Sequence, residues 1–189
     1  MEEFNSGRVC FFLALSIFLA IFEIQIEGPN GWANNLPCWR AKPESWMQKV
    51  YSLFFSGKPL DGFHLSELVV LLLFFHYPFF CGVEWGFKEE AKTISSFMVL
   101  TICWDFLWFI FNPAYGWKKF KPEFIWWHKK WLWKFPLDYY LSISLSLLIS
   151  FVAGYWESNA PLSYHFQEML LLLFLVGFVG HFFTPPSDM

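Results

Sequence analysis

The chain reads as an all-α protein: a polytopic membrane helical bundle of about five transmembrane helices, with two amphipathic helices lying in the interface. Three observations lead there. Of 189 residues, 56% are apolar and 15% charged, and Phe, Trp and Tyr together make 24%, a balance that a water-exposed surface does not sustain. Five windows, about 9–26, 63–83, 94–112, 138–156 and 163–183, approach the roughly 20 mostly apolar residues that cross a bilayer's hydrocarbon core. Two stretches between them, 43–56 and 122–135, are too aromatic for plain linkers. The same composition excludes intrinsic disorder, and a pI of 5.9 gives no basic footprint for nucleic acid. Residues 1–189 form a single integral membrane domain, with no repeat period or internal duplication.

Each element has its own reason. The window 9–26 has the apolar core of a signal peptide but runs on into Glu23 and Glu27 and lacks small residues at a cleavage position, so it is expected to stay as a helix. In 43–56, Pro43 and Glu44 suit a first turn, Trp46, Val50 and Phe54 recur every four residues, and Gly57 suits the stop. Asn112-Pro113 closes the third span. In 122–135, Pro122 opens a run with Trp126, Trp127, Trp131 and Trp133 among Lys129, Lys130 and Lys134. A helical wheel puts His128 in its apolar arc, facing the bundle or the lipid. Membrane lipids are the expected partner, with the three lysines meeting anionic headgroups. Ser142, Ser146, Ser150 and Gly154 recur at intervals of four and give the fourth span a small-residue face for helix packing, within the chain or in a homo- or hetero-oligomer.

Charge sets the orientation. Of 13 Lys and Arg, four fall in 27–62 and six in 113–137, against three on the other side, which places the N-terminus outside and the C-terminus in the cytoplasm.

The spans themselves hold Glu23, Glu67, Asp105, Asp138 and Glu168 with no Lys or Arg among them. Carboxylates in a membrane are costly, and with no internal cation they imply a bound metal, protonated acids or hydrogen-bonded pairs. His64, His76, His165 and His181 share the same spans. Spacing places Glu23 and Glu27 on one face, His64 three residues before Glu67, and Thr101, Asp105 and Asn112 in one stripe, all descending toward the cytoplasmic leaflet. The expected site joins these groups with His128: Asp105, Glu23 and His128 as catalytic residues, and His64, Glu67 and Glu27 as ligands of a divalent metal. Taken singly, Glu27, His64 and Asp138 are also explained as residues of hydrated helix ends, whereas Asp105 is expected near mid-span.

His165 and Glu168 repeat the His-x-x-Glu spacing, in the reverse order of the Glu-x-x-His of dinuclear bundle sites. With His76 and Glu84 they make a second polar cluster toward the outer leaflet. Noncovalent haem on the intramembrane histidines ranks below a metal or acid-base site. The four cysteines share no ligand spacing and read as small buried hydrophobes.

Three functions stay open. The first is a membrane-embedded enzyme acting on a lipid-like or amphiphilic substrate at the cytoplasmic leaflet. The second is a small transporter or proton or cation pathway centred on Asp105, and the third a noncatalytic assembly subunit. No nucleotide-binding loop, nucleophile elbow or zincin motif occurs.

Overall fold

The computed structural model describes residues 4–158 and 164–182, with side chains described up to residue 152 and from residue 164. Five long helices carry it: α1 (Ser6–Glu27), α3 (Gly62–Phe80), α4 (Phe87–Phe111), α6 (Leu137–Ser158) and α7 (Tyr164–Phe182). The short helices α2 (Trp46–Phe54) and α5 (Gly116–Lys119) and a two-stranded hairpin, β1 (Trp131–Leu132) with β2 (Phe135–Pro136), fill the connections. α1, α3, α4 and α7 are long and apolar enough to cross a membrane, and α6 carries the apolar run Leu137–Val152. The protein is an integral, multi-pass helical membrane bundle.

Local chemistry explains the helix ends. Asn5 caps α1 by accepting from the Arg8 amide, and Gly28, at φ 62°, returns its N–H to the Ile24 carbonyl at the other end. Ser45 caps α2 and Asp61 caps α3 in the same way. α4 begins seven residues before its apolar window because Glu89 and Glu90 suit the positive end of a helix.

α4 is the central helix, packed against α1, α3, α6 and α7. Buried contacts show the alternation of direction. The start of α3 meets the end of α1 through His64 and Glu23, and the start of α6 meets the end of α4 through Asp138, Lys58 and Asp105. At the far end, the start of α7 meets the starts of α1 and α4 through Glu168, Arg8, His165 and Ser95. Close approach has direct causes: a Cβ on Gly180 would lie 2.9 Å from the Phe106 ring. Ser146 and Ser150 of α6 bond to Ser95 of α4, so this face has its partner within the chain. Gly154, the fourth small position, lies outside the described side chains.

One interfacial helix is absent. Residues 122–135 form turns and the hairpin, with Trp133 at φ 56° at its tip. The wheel misled because turns set the chain here: Ile125, Trp127 and His128 are buried while Phe124 and Trp126 are exposed, a pattern that no single helix face gives. α2 does form, and its stripe of Trp46, Val50 and Phe54 faces outward while Tyr51 holds it to the body.

Candidate functional site

The site begins with the cap of α3. Asp61 accepts the His64 amide with one oxygen, at 3.0 Å, and holds His64 Nδ1 with the other, at 2.8 Å. That fixes the ring so that Nε2 faces Oε1 of Glu23 and Oε1 of Glu27, each at 3.4 Å. A carboxylate that orients a histidine whose other nitrogen faces donor oxygens is the usual outer shell of a metal ligand. Donor atoms of Glu23, Glu27 and His64 all lie within 4.8 Å of one another, and all three residues are buried.

A strained loop covers this group. After α1 ends, Gly28, Gly31, Trp32 and Ala33 all take positive φ, from 49° to 62°. Trp32 and Ala33 are not glycines, and such a backbone persists only where its surroundings impose it. Here they do: Ala33 donates its amide to Glu27, the Arg40 guanidinium donates to the Ala33 carbonyl, and Trp32 stacks on His64 with ring centroids 3.9 Å apart while its indole N–H donates to the Pro59 carbonyl. Gly31 has no room for a side chain, since a Cβ would sit 2.4 Å from the Trp127 ring.

A second group adjoins the first. Lys58 enters from the loop between α2 and α3 and reaches Asp105 at 3.2 Å and Asp138 at 3.4 Å. Gln48 of α2 steadies that loop, donating to the Lys58 carbonyl and accepting from the Leu60 amide. His128 lies 3.2 Å from both Asp105 and Asp138, and Tyr139 donates to Asp105. Burial would push the Lys58 ammonium down, but Asp105 and Asp138 outweigh it and hold Lys58 above its ordinary 10.5.

The two groups share a cavity of about 70 Å³, whose wall includes Glu23, His64, Lys58, Asp105, Asp138 and Glu67. A smaller one of about 10 Å³ lies between Glu23, Glu27, His64 and Trp108, about the room of one water molecule or one ion. Three buried polar atoms on these walls have no hydrogen-bond partner among the described residues: Glu67 Oε2, Trp104 Nε1 and Trp108 Nε1. In folded proteins such groups are rare and point to a ligand, water or ion.

The expected site residues therefore divide. Glu23, Glu27 and His64 meet directly, whereas Glu67 stands on the cavity wall outside that triad. Asp105 and His128 belong to the Lys58 network. The absence of an internal cation is corrected here: Lys58 lies outside every span in sequence yet is buried against two span carboxylates. Asp105 lies six residues and about 9 Å from the end of α4. Asn112 reaches the Gly28 carbonyl at 2.9 Å and ties the covering loop to α4.

The second cluster does not assemble as one. His76 pairs with Glu90 at 3.1 Å, and Glu84 is exposed in the turn before α4. His165 and Glu168 sit apart from them, with Ser95, Arg8 and the Asn5 amide. Their different helices explain the separation, since His76 faces the first turn of α4 and His165 the α4–α6 seam.

Sequence reasoning passed over Asp61, Lys58, Trp32, Trp104 and Tyr139. Asp61 had a readable signal, an acidic cap three residues before a histidine. Lys58 had none, because a loop lysine is ordinarily solvated.

Fold and site together define a polytopic helical membrane protein with a buried acid-rich cluster at one end of the bundle. Among known proteins, the chain is similar to a UPF0324 membrane protein of Nitrosomonas europaea, 30% identical over 152 residues that take in 77% of this chain. The chain spans 30% of that protein's length. No family profile matches the chain, and no solved structure matches it.

Proposed function

We propose that the protein is a membrane-embedded enzyme that acts on a lipid-like or amphiphilic substrate, using a divalent cation held by Glu23, Glu27 and His64. The carrying observation is the His64 ring, locked by Asp61 with Nε2 turned to two buried carboxylates. Charge supports it. Glu23, Glu27, Asp61, Glu67, Asp105 and Asp138 converge here, and the basic groups paired with them in the described structure are Lys58, His64 and His128. Carboxyl groups thus outnumber basic groups six to three, and a cation bound among them would offset the cost of ionising them in so buried a place. Two carboxylates and an imidazole suit Zn²⁺, Mn²⁺ or Fe²⁺.

A bound cation would supply Lewis-acid chemistry. Glu67, with a carboxylate oxygen free of partners, is the group placed to take or give a proton at the cavity. The Lys58 network fixes the wall opposite the triad. A proton or cation pathway through Asp105 is the weaker reading, because Lys58 and Tyr139 already engage both oxygens of that carboxylate.

In this reading the site lies at the cytoplasmic leaflet. Exposed Lys129, Lys130 and Lys134 stand with Trp126 and Trp133 to engage anionic headgroups beside it.

Elemental analysis of detergent-purified protein tests the centre. Near-stoichiometric divalent metal, lost in both His64→Ala and Glu27→Gln, is the expected result. Wild-type protein that takes up no Zn²⁺ or Mn²⁺ from supplemented buffer, and gains no thermal stability from either, would overturn it.

A further inference from the structure

The surface of α4 shows how the cavity is reached. From Val99 to Ile110 this helix is buried except at Thr101 and Asp105, four residues apart on one face. Phe97, one turn earlier on the same face, is also only partly buried. Thr101 and Asp105 line the cavity, whose other walls include Glu67 and Leu68 of α3, Ser142 of α6, and Tyr51, Phe55 and Lys58 of α2 and the loop after it. α3 and α6 both pack on α4, but no substantial packing joins them to each other. Helix packing therefore does not close the seam between them, and the residues flanking it are exposed and apolar: Leu65 and Val69 on α3, Leu141 and Leu145 on α6. In a membrane such a seam faces lipid rather than water.

Size and charge select what fits. A volume of about 70 Å³ holds on the order of five water molecules, which favours a head of a few heavy atoms. The surrounding acids disfavour an anionic head. Trp104 adds the polar criterion. It lines this cavity, is 6% exposed, and its indole N–H has no acceptor among the described residues. Indole only donates, so its missing partner is an acceptor, such as a hydroxyl or carbonyl oxygen.

We propose that the α3–α6 seam admits a neutral, small-headed amphiphile from the bilayer, whose hydroxyl or carbonyl oxygen accepts from Trp104 beside the Glu23–Glu27–His64 triad while its chain stays between the helices. The inference names the substrate class of the site proposed above and rests on that reading for its catalytic meaning, but its own test does not require metal.

The probe is a long-chain alcohol carrying a photoactivatable diazirine near its head, compared with the matching fatty acid, on the full chain in neutral lipid vesicles at pH 7.5. Crosslinked peptides should fall on Leu68, Ile102 and Ser142, with the acid labelling them at least about tenfold less. Trp104→Phe keeps the ring and removes the N–H, and should lower alcohol labelling about three- to tenfold, the worth of one buried hydrogen bond. Thr101→Phe should block the seam and remove labelling there, while both variants keep the wild-type unfolding temperature within a few degrees. Labelling spread along the outer faces of α1 and α7, or equal in wild type and Trp104→Phe, would overturn the inference. Seam labelling with its Trp104 dependence intact in a protein that binds no metal would sink the metal-enzyme reading and leave this one standing.

Discussion

The two ends of the bundle bury polar groups to opposite effect. At the far end, Ser95 bonds to Ser146 and Ser150, Ser150 returns to the Ser146 carbonyl, and Glu168 takes the Arg8 guanidinium and the Asn5 amide. Those groups spend their bonds on one another and clasp α1, α4, α6 and α7 together. At the near end, Glu67, Trp104 and Trp108 have polar atoms without partners among the described residues, beside two cavities, and acids outnumber bases. In the proposed reading, burial of polar side chains in a membrane thus has two meanings, a clasp when the bonds close and a site when they do not.

The largest separation of the two ends should come from Lys58→Met. It leaves Asp105 and Asp138 facing each other without their shared cation, and loss of one partner of a buried ion network costs about 3–5 kcal/mol. Thermal unfolding in detergent should show it as a large drop. Adding Asp105→Asn and Asp138→Asn should recover much of the loss; a triple variant no more stable than Lys58→Met would mean that the network is not what Lys58 supports. The same lysine sets a pH dependence. Its pKa is raised in the folded protein, so its contribution is complete below the ordinary 10.5 and fades as pH rises through the higher folded value. Wild type should therefore lose stability relative to Lys58→Met only above about pH 10.5, and parallel curves through that window would refute the assignment.

Gly31→Ala comes next. The added carbon would meet the Trp127 ring at 2.4 Å at a residue with φ 60°, an overpacking of about 1–3 kcal/mol. Because the Gly28–Ala33 loop covers the triad proposed to hold the metal, that proposal has metal affinity fall along with stability, whereas a far-end variant of equal cost should leave metal affinity alone. Equal metal binding in wild type and Gly31→Ala would detach the loop from the site.

How much of this was readable in the sequence follows from the range of the forces involved. The long helices are legible because crossing hydrocarbon demands an unbroken apolar run, a local property. Residues 122–135 were not, since their tryptophans fit either a helix wheel or a hairpin, and the choice fell to tertiary burial of Ile125, Trp127 and His128. The nearness of Glu23, Glu27 and His64 could be read from helix ends that share one level of the bilayer. The reach of Lys58 could not, because a loop connecting α2 to α3 has no period from which to infer where its side chain goes. His76 and Glu84 show the converse limit: a shared end of the bundle does not bring two side chains to one place.

Ser95→Ala should have the smallest effect and makes the cleanest control. Ser95 sits where α4 and α6 touch, bonded to Ser146 at 2.8 Å and Ser150 at 2.6 Å, with His165 at 3.2 Å. Hydrogen bonds between membrane helices average only about 0.6 kcal/mol, because the separated helices find other partners. Ser150 keeps its bond to the Ser146 carbonyl, and Ser146 still reaches the Ser95 backbone at 3.0 Å. The loss should therefore be about 1 kcal/mol or less, with metal content and alcohol labelling unchanged. A large fall in either, at small cost in stability, would show that the far end communicates with the near one along α4 and that the clasp is part of the site.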